Sequence, residues 1–109
     1  MKPNVAILLT QGFEELEAIT VIDVLRRAGC ELRIVAVDGG REVSSSHEVR
    51  IGADCSLAEV DAPALDMIVC PGGMPGAERL AESAPVRAAL QAVHANGGWV
   101  CAICAGPLA

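Results

Sequence analysis

Aromatic side chains are almost missing from this chain, which has one Trp, one Phe and no Tyr. That leaves little to stack on a flavin. Basic residues are few and scattered. Eight Lys and Arg stand against fourteen acids, for a net charge of −6. With no basic cluster to neutralise phosphates, the sequence argues against nucleic acid and against anionic membrane surfaces. The usual nucleotide signals are absent. Thr10-Gln11-Gly12-Phe13-Glu14-Glu15 after the first apolar run holds a single Gly, and no Walker A loop occurs. The first apolar run, Val5 to Leu9, is followed closely by Glu14, Glu15 and Glu17. It is too short for a signal sequence or a membrane span. Five cysteines make an odd count without a secretory signal. They read as thiols in a reducing, cytoplasmic setting rather than as a disulfide framework. Cys30, Cys55 and Cys70 are scattered singly, and a zinc site beside Cys101 and Cys104 needs a second ligand pair. No metal and no cofactor are expected.

What is present is aliphatic. Over 109 residues, 52% are hydrophobic, most of them Ala, Val, Ile and Leu. That length supports one domain, spanning 1–109. Val5 to Leu9 reads as a strand buried on both faces. Glu14 to Ala28 reads as a helix, with acids in its first turn, Arg26 and Arg27 in its last and Gly29 just beyond. Leu32 to Val37 is a second strand. Residues 41–55 have room for a short hairpin. Ser56-Leu57-Ala58-Glu59 has the capping-box pattern of one helical turn. Met67 to Cys70 is a third strand, Glu78 to Glu82 a short helix, and Ser83 caps a helix over Pro85 to His94. Trp99 to Ile103 is a fourth buried strand, ending at Cys104. Strands alternating with helices imply crossovers and an open, parallel α/β sheet. The sequence given stops at Ala109, a few residues after this strand-to-helix turn and too soon for a covering helix, so the domain is expected to be incomplete at its C-terminus, with one face of the sheet open.

In such a sheet all strand carboxyl ends meet at one edge, where ligands bind. Three features fall there: Glu14 to Glu17, Gly72-Gly73, and Cys104. In Ala102-Ile103-Cys104-Ala105-Gly106-Pro107, small residues let a strand turn tightly and expose a nucleophile. A helix beginning after the turn favours the thiolate; the competing reading is a structural cysteine. Glu17 shares a helix face with Val21, Val24 and Ala28, so it flanks apolar surface and suits proton transfer. Otherwise it is an ordinary helix N-terminal acid, the reading that fits Glu14 and Glu15 better. Gly72 and Gly73 permit backbone amides to face an anion, or form a plain turn. Cys101 and Cys104 form a C-x-x-C, but Cys101 falls inside the strand, so the sulfurs do not share a helix turn. His94 ends a helix, and His47 lies in the irregular segment, within reach of a site or solvated.

Gly12-Phe13-Glu14-Glu15-Leu16-Glu17-Ala18, Pro71-Gly72-Gly73 and Ala102-Ile103-Cys104-Ala105-Gly106-Pro107 resemble the DJ-1/ThiJ/YajL branch of the DJ-1/PfpI superfamily. The similarity runs over the whole chain, including Asp23 to Gly29. The resemblance implies a flavodoxin-like three-layer sandwich with a nucleophile elbow at Cys104, and a homodimer. It implies that Cys104 is reactive and that Glu17 is its protonated partner. It places anion-binding amides at Gly73 and Ala105 and an auxiliary role at His47. The implied activity is glutathione-independent glyoxalase or deglycase chemistry on methylglyoxal-like α-oxoaldehydes or their adducts. The alternative is a redox-responsive chaperone or oxidative-stress sensor. Ala105 stands where the protease-type members carry His, so a Cys-His triad is not expected. The helix from 14 to 28 is apolar on nearly all sides, which also points to a second subunit.

Overall fold

Val5, Ile7 and Leu9 point to one side of the first strand and Ala6 and Leu8 to the other, and all five are at most 1% exposed. A run without polar alternation forms a strand here because both of its faces are covered. The computed structural model describes residues 2–104 and 106–108. Along the chain come β1 (Asn4–Leu9), α1 (Glu15–Arg27), β2 (Glu31–Ala36), β3 (Glu42–Ser44), β4 (Arg50–Gly52), β5 (Cys55–Ser56), β6 (Met67–Cys70), α2 (Gly76–Glu82), α3 (Ala84–Ala95) and β7 (Trp99–Ala102). Short 3-10 turns occupy Leu57–Glu59, Ala62–Ala64 and Gly106–Leu108.

The central sheet runs β5-β2-β1-β6-β7, every neighbouring pair parallel. Ile7 sits between Ile34 and Val69 in register. One face packs under α1 through Ala18 and Ile22. The other packs under α2 and α3 through Leu80, Val86, Ala89 and Val93. This is the flavodoxin-like sandwich expected from the sequence. Burying each of these Val, Leu and Ile side chains contributes about 1.5–3 kcal/mol.

The end signals act as the sequence implies. Glu14 caps α1, its Oε1 accepting from the Leu16 amide at 2.9 Å. Ser83 caps α3, its Oγ accepting from the Val86 amide at 3.3 Å. Glu59 Oε1 accepts from the Ser56 amide at 3.1 Å, closing the turn at 57–59. β3 and β4 form the antiparallel hairpin expected within 41–55. It is fastened to the loop after β1, with the Gly12 amide donating to Ser44 O at 2.9 Å and the Ser46 amide to Phe13 O at 2.8 Å.

Three features differ from the sequence reading. Cys55 and Ser56 pair in parallel with Val35 and Ala36, adding an edge strand too short to show any periodicity. α2 begins at Gly76, two residues before its expected start at Glu78. The last strand is not buried. Trp99 is 71% and Val100 44% exposed, because β7 is the sheet edge and α3 packs against only part of it; the open face expected here is present, and among the described residues the outer edge is bare as well. Among the described residues, no helix is long and apolar enough to cross a membrane.

Candidate active site at the carboxyl edge of the sheet

The loops after β1, β6 and β7 converge on Gly72. Its carbonyl accepts from the Glu14 amide at 2.9 Å. Its own amide donates to Glu17 Oε1, also at 2.9 Å. A Cβ at Gly72 would stand 2.6 Å from Glu17 Oε1, 2.9 Å from the Cys104 Cβ and 3.0 Å from Ile103 O. Glycine is needed here because the acid and the thiol-bearing residue crowd its α-carbon from two sides. Cys104 and the Glu17 carboxyl, both singled out in the sequence, thus flank the same glycine, brought together from chain positions 87 residues apart by the parallel topology.

Cys104 is exposed and holds φ +53°, the left-handed region that non-glycine residues enter rarely. Such a conformation costs about 1–3 kcal/mol and persists where neighbouring structure enforces it. Here the Ile103 amide donates to Cys70 O at 3.2 Å, and the Gly106 amide donates to Ile103 O at 2.7 Å, closing the turn. Beyond Cys104 the sequence reading expected a helix; the described chain makes only the 3-10 turn Gly106–Leu108. Ala105, the other expected anion-binding position, lies outside the described residues. Gly73 follows directly with φ +96° and is half-buried. The Gly72 amide, expected to face an anion, is committed to Glu17 instead.

The remaining cysteines are set apart by environment. Cys70 is buried, and desolvation, with the neighbouring Cys101 as a second cause, pushes its thiol up to about 11. Burial also raises Cys55. Cys101 sits mid-strand opposite Val69, so the C-x-x-C spacing does not place it with Cys104 on a helical turn.

His47 lies in the β3–β4 turn, and its Nδ1 is 2.9 Å from Glu15 Oε1 and 3.3 Å from Ser46 Oγ. Glu15 therefore does more than the helix-end role the sequence suggested. Its side chain is only 14% exposed and ties the hairpin to the start of α1. Its carboxyl is held below the ordinary range chiefly by its own backbone amide, with His47 adding and partial burial opposing. Glu14, Glu15 and His47 present ligand-type atoms within 4.8 Å of one another. However, the Leu16 amide and the His47 ring already take one oxygen of each acid, and the positive end of α1 opposes a cation.

The lowered Glu15 and Glu59 groups set a pH dependence. A carboxyl depressed on folding stabilises the native state above its unfolded value and loses that contribution as pH falls through the folded value. The urea midpoint is therefore expected to fall as pH drops below 4.5. Glu15→Gln with Glu59→Gln should flatten that fall. An unchanged profile in the double variant would show that other acids carry it.

Thr10 was not singled out from the sequence. It is 2% exposed and its hydroxyl donates to the Asp38 carboxylate, linking the ends of β1 and β2. A Thr after an apolar run is a weak signal that only the strand pairing makes meaningful. A concavity of about 690 Å³ opens beside Asn4, Asp66, Met67 and Trp99. It lies at the amino ends of the strands, away from Cys104.

The model of the DJ-1/PfpI family matches residues 3–109. Protein dj-1beta of Drosophila melanogaster is 39% identical over 107 residues, covering 98% of this chain and 57% of that protein. Its crystal structure superposes with a TM-score of 0.94. A structure titled Toxoplasma gondii DJ-1, oxidized, is 40% identical with a TM-score of 0.91, covering 96% of this chain and 57% of that one. The Caenorhabditis elegans protein named glutathione-independent glyoxalase DJR-1.2 is 35% identical over 106 residues, covering 97% of this chain and 56% of that protein. The chain thus spans a little over half the length of these relatives.

Proposed function

This chain belongs to the DJ-1/PfpI family, and from that premise we propose that it contributes the thiol and proton-transfer half of a glutathione-independent glyoxalase or deglycase site for small α-oxoaldehydes. The observation that carries the reading is the meeting of Glu17 Oε1 and Cys104 at Gly72. A relative named a glutathione-independent glyoxalase supports it.

The chemistry balances without an oxidant or a cofactor. The Cys104 thiolate attacks the aldehyde carbon of methylglyoxal, a C–S bond forms, and the carbonyl oxygen takes the proton carried by the Glu17 carboxyl, giving a hemithioacetal and leaving Glu17 as a carboxylate. Glu17 removes the proton from C1 and returns it to C2 through an enediol, leaving a lactoyl thioester on Cys104. Water hydrolyses that thioester to lactate and frees the thiol. Gly73 and Ala105 are the amides proposed to hold the oxyanion. The Gly72 amide instead orients Glu17. On adducts, the same attack releases the amine or thiol that methylglyoxal had modified.

Lactate release from methylglyoxal without glutathione tests the reading. Cys104→Ala is expected to abolish it, and Glu17→Ala to lower it by about 10²–10⁴-fold. Turnover that survives Cys104→Ala would sink the proposal. A second reading, a peroxide sensor, is favoured by the exposure of Cys104. It predicts sulfinic acid at Cys104 under peroxide and no lactate.

A homodimer is part of the proposal. Leu16 is 75% and Ile19 47% exposed on α1, a pair one turn apart with no described partner element. Leu16→Asp is expected to leave monomers by light scattering. A wild-type chain that stays monomeric at high concentration would remove the basis for this.

A further inference from the structure

Asn96 and Gly97 lie in the turn between α3 and β7. The chain has two asparagines, Asn4 and Asn96, and only Asn96 precedes a glycine. Asn96 caps α3 with φ −96° and ψ 14°, and it is exposed, as is Gly97. Gly97 holds φ +79°, and a Cβ built on it would meet nothing within 4 Å. The backbone nitrogen that follows the Asn96 side chain therefore has no β-carbon beside it, and the space around its α-carbon is open. Asn4 is the opposite case. It precedes Val5, a branched residue that is 1% exposed inside β1.

Two hydrogen bonds hold the Asn96 side chain and the Gly97 nitrogen in the cap. Asn96 Nδ2 donates to Ala92 O at 2.9 Å, and the Gly97 amide donates to His94 O at 3.1 Å. Both bonds belong to the exposed last turn of a helix, the part that frays most readily. Fraying releases both groups together, and they are close enough along the chain to close a five-membered ring.

We infer that Asn96 is a site of spontaneous deamidation, gated by the last turn of α3. The Gly97 nitrogen attacks the side-chain carbonyl carbon of Asn96 and gives its proton to solvent base. A C–N bond forms and closes a succinimide, the bond from that carbon to Nδ2 breaks, and Nδ2 leaves as ammonia. Water then opens the ring at either carbonyl, leaving aspartate or isoaspartate at position 96. The only co-reactant is water. The product cannot rebuild the cap. A carboxylate only accepts, so the donor to Ala92 O is lost. The new charge lies at the negative end of α3, where the helix dipole opposes it. In isoaspartate the main chain is one methylene longer, which displaces the Gly97 amide from His94 O. The amides of Gly98 and Trp99, which donate to Val93 O and Asp66 O at 2.9 Å, are the next to loosen. None of this involves the thiol, so it stands or falls apart from the proposed function.

The test is incubation of the folded 109-residue chain in mildly alkaline buffer, with peptide mass mapping and an isoaspartate assay. The mass gain of an amide-to-acid conversion is expected in the peptide that holds Asn96 and not in the one that holds Asn4. Isomerisation at Asp38-Gly39 adds no mass and is separated in this way. Unfolding in urea should speed the conversion by about 5–30-fold, the factor of a fraying turn rather than of global opening. Asn96→Gln keeps an amide but has to close a six-membered ring, and should show no conversion at position 96. Asn96→Asp should speed hydrogen exchange at the Gly98 and Trp99 amides by about tenfold. A folded chain that stays unconverted at Asn96 overturns the inference, even if the unfolded chain converts, because the cap then closes the site. A mass gain that maps to Asn4 instead overturns it as well. Unchanged exchange in Asn96→Asp would overturn the loosening of the turn.

Discussion

Gly72→Ala is expected to lower the rate of the thiol-dependent reaction by about 10²-fold while the chain stays folded. The added methyl would lie 2.6 Å from Glu17 Oε1 and 2.9 Å from the Cys104 Cβ, both closer than carbon and oxygen atoms tolerate. The Glu17 carboxyl is the end of a flexible side chain and moves first, which loosens its bond from the Gly72 amide. Cys104 is held by backbone contacts and shifts less. The two groups are therefore driven apart, and a misplacement near 1 Å costs about 10²-fold in a positioned reaction. Overpacking of this kind costs about 1–3 kcal/mol of stability. The measurements are lactate formation from methylglyoxal and the rate of iodoacetamide alkylation at Cys104. A variant that keeps wild-type turnover would show that the juxtaposition at Gly72 does not matter to the chemistry.

Phe13→Ala is expected to cost about 3–5 kcal/mol, against the roughly 5–15 kcal/mol that a domain has in total. Phe13 is 1% exposed and stands first among the largest fully buried side chains, although it lies in a loop. It packs in the cluster that joins Ile22 of α1 to Val43 of the hairpin. Its carbonyl accepts from the Ser46 amide, so the ring and the backbone pin the same junction. Truncation leaves a cavity where three elements meet, and with a urea slope of about 1–3 kcal/mol/M the midpoint should drop by about 2 M. Val49→Ala, at a 42% exposed hairpin position, is the control and should change stability by less than about 0.5 kcal/mol. A loss below about 1 kcal/mol at Phe13 would mean that the loop is not anchored through this ring. Because Glu14 follows directly and caps α1, the variant should also reduce the order of Glu17.

Those two residues mark different limits of reading a sequence. Gly72-Gly73 looked like a turn with amides facing outward, and the requirement for glycine was legible. The reason for it was not, because the crowding comes from α1 and from the turn after β7. Phe13 was visible as the only Phe but sat in a loop segment, and its burial depends on the hairpin folding over it. β7 shows the reverse error. Trp99 to Ile103 has the composition of a buried strand, yet composition records what a strand can bury and not what lies beside it.

The sequence by itself determined the main strands and helices and their order. Val5 to Leu9, Met67 to Cys70, the Ser83 cap, the Ser56–Glu59 box and the small residues around Cys104 act locally, through periodicity, capping and backbone sterics, within a few residues. Tertiary structure alone decided that Glu17 meets Cys104 across Gly72, that Glu15 holds His47, and that Cys55 and Ser56 extend the sheet. Each of these depends on which strand lies beside which. Pairing in a parallel sheet joins segments tens of residues apart, and no local pattern encodes the neighbour.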